Sequence, residues 1–570
     1  MNPKENLKNY FKLHGFLLEP KAVTYVTEVI SNFDSAKCTK VVDKMISTFM
    51  DLGLPNNRIS VEILKQTINA CRKDTNSLKL FQVIDAYHTP KLVFDCNSKK
   101  YIIDEISSAK PFFQQLFSDS SEIKSKVLRS RYQIIYQRLM RDKSFNYHNS
   151  LKPITNVLTT GSAIRNVIIL GMLSQFHEGR WFLEDETGYV EINLDNAEYH
   201  KGLIIEGSFV LAEGKYEEKM LYVDTIGMPI VEPAAASRLA ICDNINYFGG
   251  LPVKGGVKSC KHINNLVQTE LGDKALVFLS DIFLDQEIVI QKLKILFQGY
   301  KIFKPEAFIL CGDFLSASTI GMDISDKLKL LKEGIRNVVK SFAMFPDLAL
   351  VSNLIFVPGP NDLFQGISSV LPHPSLSSSY LLDGIFNSQS NIDSLKDRIM
   401  FTSNPCRMTF YDKEIVIFRE SIMQKLYRHC MYIPNEKDQL EEISQLKDSL
   451  DDSIRNTTID NSELDPEVAG KKNSYFLEKN LIWTILSQAH LLPLPIHISP
   501  VYWQFDNALQ LFPLPDLLVL SDSDSSSFNI QLSGCNVLNP FNFSTEGDFP
   551  FNIYYPFTGQ VQNCNVNVDM

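Results

Sequence analysis

Apolar positions along this chain change their period three times, and each change marks an expected domain boundary. Up to residue 90 they recur at helical spacing: Val23, Val26, Val29 and Ile30 share a face, as do Val42, Met45, Ile46 and Phe49, then Leu78, Phe81 and Ile84. Asp51-Leu52-Gly53 supplies a stop and Ser60 a cap, so residues 1–90 are expected to form a small domain of short helices. A polar connecting segment follows over 91–159. Across 160–232 the period shortens to that of strands, with turns at His177-Glu178-Gly179 and Asp185-Glu186-Thr187-Gly188. From about 275, apolar strands alternate with amphipathic helices: "ALVFLSDIFLD", a helix carrying Ile290, Leu293 and Leu296, "AFILCGDFLS", a helix carrying Leu328, Leu331, Ile335, Val338 and Phe342, then "NLIFVPGPND". This layered α/β domain is expected over 233–570. It is interrupted at about 435–472 by a charged stretch whose apolar stripe (Ile443, Leu446, Leu450, Ile454) is weak, read as an exposed and partly disordered insertion.

The whole is a multidomain α+β protein. Short strands packed into roughly 70 residues at 160–232 suggest a small Greek-key barrel of the OB type. Such barrels often hold single strands on aromatic platforms, and Phe176, Trp181, Phe182 and Tyr189 could be offered for that. Charge argues against it: residues 161–230 carry five Lys/Arg against twelve Asp/Glu, a balance of −7 that repels a phosphate backbone. A structural or protein-docking barrel is expected instead. The full chain, at −10 and a pI near 5.6, carries the same message. Its ten cysteines are never closer than eighteen positions and form no C-x-x-C pair, so they are read as reduced core thiols of an intracellular protein. The start "MNPKENLKNYFK" has no apolar h-region and no window approaches eighteen apolar residues, so neither secretion nor a membrane segment is expected. The short basic run "RLMRDK" at 138–143 is too weak for an import signal.

Three apolar strands run into acidic residues: Asp281, Asp313 and Asp362. Asp281, Gly312-Asp313, the "GPND" turn and His490 follow one another in an order that resembles the calcineurin-like metallophosphoesterases, with their series D-x-H, G-D, G-N-H-D/E, a middle His and G-H-x-H. Two divalent metals need a bridging carboxylate, imidazole ligands on each side and a His to protonate the leaving oxygen. Here Phe283 stands in place of the first His, Pro360 in place of the metal-ligating Asn, Asn361 in place of the catalytic His and Leu492 in place of the last His. His373 in "LPHPS" could be offered for the middle His. On this mapping one metal keeps Asp281 and Asp313 and the other Asp313 and His490, about half of what each requires. The resemblance therefore implies a phosphoesterase-like α/β sandwich with a degenerate site, no metal, no cofactor and no catalytic residue. An active metal-dependent phosphodiesterase or exonuclease is the rival.

A helical module, an acidic OB barrel and a degenerate phosphoesterase domain in one chain resemble the B subunits of eukaryotic replicative DNA polymerases, the epsilon type in particular. The segments "FKLHGFLL", "AIRNVIILGMLSQFHEGRWFLEDETGYVEINL", "YFGG", "VFLSDIFLDQ", "FILCGDF", "FVPGPND", "TSNPCRM", "ILSQAHLLPLP", "PVYWQFDNAL" and "PDLLVLSD" carry the resemblance. It implies a non-catalytic accessory subunit in the nucleus. The barrel and phosphoesterase-like body would grip the zinc-containing C-terminal region of the catalytic subunit. The N-terminal module, similar to an AAA+ lid, would tether the replicative helicase through GINS. Small histone-fold subunits would be reached indirectly, DNA mainly through the complex. Tyr502, Trp503 and Phe512, among the prolines 493, 495, 513 and 515, are the interface candidates.

Overall fold

The computed structural model describes residues 81–104, 121–143, 145, 151–160, 162–242, 245–250, 274–362, 370–383, 393–411, 413–432, 466–544 and 548–566, with the backbone alone over 466–475; before 81 it describes 11, 17–19, 22–23, 26 and 58–59. The chain separates into two compact units, Met1–Leu80 and Phe81–Met570. In the first, Leu17–Leu18 pairs in parallel with Arg58–Ile59, and helical Val23 and Val26 are buried as their spacing predicts. The second apolar stripe (Val42 to Phe49), the stop at 51–53, the Ser60 cap, Leu78 and the stripe at 443–454 lie outside the described residues.

Phe81 and Ile84 do not continue a helical face. They lie in the strand Phe81–Asp85, antiparallel to Cys406–Phe410 more than three hundred residues away. Local periodicity carries no trace of a partner so distant. The stretch after it is also more than a connector: Leu92–Asp95 and Lys100–Ile103 form a hairpin, and Ile123–Arg141 is a 19-residue helix. That helix buries Ile123, Val127, Ile134, Ile135 and Leu139 along one side, while charged and polar residues fill the rest and mask the stripe.

The expected barrel is present and closed. Phe209–Glu217 pairs on one side with Ile164–His177 and on the other with Met220–Gly227, and Met220–Gly227 in turn meets Tyr189–Asn193. Alternate side chains such as Val167, Ile169, Val190, Ile192, Leu221 and Val223 fill its interior. The turn at Asp185–Gly188 forms because the Asp185 carboxylate accepts from the amides of Thr187 and Gly188 at 2.6 and 2.9 Å.

Two six-stranded sheets make the α/β sandwich. The first runs Ile399–Phe401, Asn353–Val357, Ala307–Cys311 and Leu276–Ser280 in parallel, then Pro550–Tyr555 and Gln560–Asn565 antiparallel. The second is Phe528–Leu532, Cys535–Asn539, Leu517–Ser521, Lys413–Arg419, Cys406–Phe410 and Phe81–Asp85. Phe278, Ile309, Ile355, Met408, Ile417 and Val519 pack between the sheets, with Cys311 and Cys406 among them. Helices Glu287–Gly299 and Ile324–Ala343 cover the first sheet, and the apolar side of Ile422–His429 and the end of Pro466–Ser487 cover the second. Central strands are therefore buried on both faces, which is why they read as unbroken apolar runs.

The helix Pro466–Ser487 also joins sandwich to barrel. Asn480 Oδ1 and Thr484 Oγ1 accept from the amides of Gly202 and Leu203 at 3.0 and 2.7 Å, while Gln488 exchanges two hydrogen bonds with the Phe209 backbone at 2.9 and 2.7 Å. Among the described residues no helix is long and apolar enough to cross a membrane.

Candidate functional site

Parallel strands end together at one edge of the sandwich. Leu276–Ser280 delivers Asp281, Ala307–Cys311 delivers Gly312 and Asp313, and Asn353–Val357 leads into the "GPND" turn. From the second sheet Lys413–Arg419 and Leu517–Ser521, themselves parallel, arrive with Arg419 and Ser521 as their last residues. The Ser280 and Ser521 hydroxyls, 2.5 Å apart, close the gap between sheets.

Arg419 fills the centre of this edge. Its side chain is 1% exposed, and Nη2 lies 2.5 Å from Asp281 Oδ1 and 3.4 Å from Asp313 Oδ2. Nη1 donates to the Ser521 carbonyl at 2.9 Å and Nε donates to the Gly312 carbonyl. Asn404 clamps the backbone of the same residue, donating to its carbonyl at 2.7 Å and accepting from its amide at 3.1 Å. Burial works against the guanidinium charge, but Asp281 and Asp313 outweigh it and raise the Arg419 pKa. Burial raises the Asp281 carboxyl above the usual carboxylate range, with Arg419 pulling the other way.

Asn361 completes the ring around Asp313, donating its amide to Oδ1 and its Nδ2 to Oδ2, both at 2.9 Å. Asp362 is turned inward, where it accepts from the amides of Phe314 and Gly359 at 2.8 and 2.7 Å. Burial, then the neighbouring Asp313, pushes its pKa up. A Cβ on Gly312 would collide with the Asp362 carboxylate and one on Gly359 with that of Asp313, so both positions need glycine for close approach. Phe283 is half-buried, and its amide is taken by Ser544 Oγ at 3.1 Å. Pro360 has no ligating side-chain atom.

The structure thus brings Asp281, Asp313 and Asn361 together, and it gives His490 other partners. His490 Nδ1 accepts from the Leu492 amide at 3.1 Å, and Nε2 lies 3.4 Å from Asp506 Oδ1. Asp506 is held by the Arg131 guanidinium, with Nε 3.2 Å from Oδ2. Burial and then Arg131 lower the His490 pKa; burial alone would raise Asp506, but Arg131 and His490 hold it well below the carboxylate range. Leu492 is a core residue. His373, 1% exposed, exchanges two backbone hydrogen bonds with Asn404 at 2.7 and 2.9 Å, and burial lowers its pKa to about 4. Among the described residues no group of three or more His, Cys, Asp or Glu converges as metal ligands would. Arg419 escaped the motif reading, although a signal existed: a charge closing the apolar run "EIVIF" must be partnered if that strand is buried.

Of the interface candidates, Tyr502 and Trp503 are half-buried. Phe512 is 5% exposed and packs on Tyr101 with ring centroids 4.6 Å apart, so it serves this chain's own core rather than a surface. The Phe512–Pro513 bond is cis.

Three family models match in chain order: the DNA polymerases epsilon N terminal family over residues 3–71, the DNA polymerase epsilon subunit 2-like OB-fold domain over 121–230, and the DNA polymerase alpha/epsilon B subunit over 276–529. DNA polymerase epsilon subunit 2 of Homo sapiens is 32% identical over 573 residues, covering 98% of this chain and 97% of its own. The chain belongs to the DNA polymerase epsilon subunit 2 family. Its relatives from Drosophila melanogaster and Arabidopsis thaliana are 28% and 26% identical, each over 98% of their own length. The second of the three family matches begins just before the helix Ile123–Arg141, so the helix falls within the stretch that matches the OB-fold domain.

Proposed function

We propose that this chain is the non-catalytic accessory subunit of a nuclear DNA polymerase epsilon, and that its strand-end site is a relic kept as structure. The observation that carries this is Arg419, whose guanidinium occupies the space between Asp281 and Asp313 where a phosphoesterase would hold its metals. A resident cation bound to both carboxylates and two main-chain carbonyls leaves neither oxygen ligands nor room for a binuclear centre. Phe283, Pro360, Asn361 and Leu492 are then the marks of lost ligands. That its relatives are DNA polymerase epsilon subunit 2 supports the accessory reading. On that reading the barrel and sandwich, joined through Asn480, Thr484 and Gln488, form one platform for the C-terminal region of the catalytic subunit, and the N-terminal module reaches the helicase through GINS.

The test is to tag the chain in its native cell, purify it through a high-salt wash and quantify what remains bound, then to assay a chromogenic phosphodiester with Mn²⁺. A large polymerase subunit near one-to-one, with no turnover, is the expected result. A chain that purifies alone and hydrolyses the diester, with activity abolished by Asp313→Ala, overturns it in favour of a phosphodiesterase. Asp281→Ala and Asp313→Ala are expected to leave the rate of the assembled polymerase unchanged.

A further inference from the structure

The basic run at 138–143 has a use in the fold. A cavity of about 640 Å³ opens between the end of the helix Ile123–Arg141, the turn at Ser98–Lys100 and the segment from Ile230 to Ala240. In a chain of net charge −10 its lining holds five basic residues and two acidic ones. The base of the cavity is built. Glu232, 8% exposed, accepts both arms of Arg141 at 2.8 Å and the Ser237 hydroxyl at 2.6 Å. Arg138, 3% exposed, sends its terminal nitrogens to the neutral carbonyls of Leu486 and Ser487 at 3.2–3.3 Å. Its Nε makes no hydrogen bond and stands 4.0 Å from Glu232. One carboxylate therefore serves two guanidinium groups, leaving a surplus positive charge and an unused donor in a sheltered place. Lys99 and Lys143 stand exposed at the rim, and beside them Ile230 and Leu239 are 42% and 80% exposed.

We propose that this cavity binds an acidic peptide segment of a partner protein, with a carboxylate over Arg138 and Arg141 and an apolar side chain against Ile230 and Leu239. Charge complementarity selects an anion, and the apolar wall selects a peptide over a nucleic acid. A phosphate backbone would find here one half-open cavity in place of an extended basic track. The inference does not depend on the accessory reading above.

The experiment uses the full chain and a fluorescein-labelled peptide of alternating Glu and Leu pairs, followed by anisotropy. Its Gln/Leu counterpart is the neutral control. The expected result is saturable binding that weakens with salt, at least ~10-fold weaker for the neutral peptide and for the double variant Lys99→Glu/Lys143→Glu. Those two side chains are exposed, so the variant should keep its fold, checked by its urea midpoint. Leu239→Ser should weaken binding ~3-fold or more through the apolar contact. Equal binding of the neutral peptide, or no change in the charge-reversed variant, overturns the proposal. So does tighter binding of a single-stranded oligonucleotide that displaces the peptide, which would assign the cavity to nucleic acid. Residues 436–465 of this chain hold ten acidic residues against three basic ones. If deleting them tightens peptide binding tenfold or more, the occupant is this chain's own segment and the assignment to a partner fails.

Discussion

Two buried arginine–aspartate clusters draw on the residue types of one motif series, yet they do different work. Around Arg419 a single guanidinium joins two carboxylates and two main-chain carbonyls at the ends of strands from both sheets. Around Asp506 a guanidinium whose side chain is 12% exposed grips one carboxylate, tying the helix Ile123–Arg141 to the turn-rich segment Trp503–Leu509, with His490 alongside. The first cluster binds the strand ends of both sheets together; the second cross-links a helix to a distant segment. The difference teaches that the order of Asp and His along a chain does not tell which carboxylate a histidine meets. His490 comes at the expected place in the series and answers to Asp506.

The sharpest way to break this comparison is to remove each arginine in turn. Arg419→Met leaves two buried carboxylates without their cation, and should destabilise the chain by about 3–5 kcal/mol in urea denaturation. Adding Asp281→Asn to that variant should recover part of the loss, because one uncompensated charge disappears with it. Arg131→Met strands a single carboxylate, one that can take up a proton and that keeps His490 as neighbour, so about 2–3 kcal/mol is expected. A larger loss at Arg131 than at Arg419 would mean that the cross-link, not the strand-end cluster, carries the charged core.

A proton titration sharpens the same contrast. Burial lowers the His373 pKa to about 4 from 6.5, and the charged groups facing it are Glu420 and Asp313 on the favourable side and Lys425 on the unfavourable one. Its folded pKa is depressed, so in this window the unfolded chain binds the extra proton. The contribution to stability is complete above pH 6.5 and falls away as pH drops toward 4. Between pH 7 and pH 5 this amounts to about 2 kcal/mol from His373. His490 shifts in the same direction, adding to the slope. The check is the pH dependence of the urea midpoint in wild type and His373→Gln: the variant should have the flatter profile, and parallel profiles would show that His373 takes up its proton in the folded state.

Much of this architecture is legible in the sequence wherever a pattern is local. The buried parallel strands at 276–280, 307–311 and 353–357 announce themselves as apolar runs, and the barrel turn at Asp185–Gly188 carries its own hydrogen-bonding residue. Asp281, Asp313 and Asn361 could be grouped because all three lie shortly past the ends of such strands and follow the order of one motif series. Phe81–Asp85 could not be read as a strand, since its partner at Cys406–Phe410 lies beyond any periodic window. The helix Ile123–Arg141 stayed hidden for another reason: charged and polar residues crowd its apolar stripe, and one charge, Arg138, is itself among what it buries. Arg419 belongs to the same class. The apolar run ahead of it signals that its charge must be partnered but not by what, since Asp281, Gly312, Asp313 and Ser521 are scattered along the chain.

The seam between barrel and sandwich offers the smallest effect and the cleanest control, for it holds by neutral hydrogen bonds where the clusters hold by charge. Thr484 Oγ1 accepts from the Leu203 amide at 2.7 Å and donates to the Asn480 carbonyl at 2.8 Å within its own helix. Leu203 is fully buried, so no solvent can replace the lost acceptor. Thr484→Val keeps the shape, removes the hydroxyl and leaves that amide unpaired, a loss of about 1–2 kcal/mol. Because no charge is involved, the loss should be the same at pH 5 and pH 7 and at low and high salt. A loss that varied with pH would mean that the seam is coupled to His490, a short way further along the chain from Thr484, and the two clusters could then no longer be treated as separate from the joint between them.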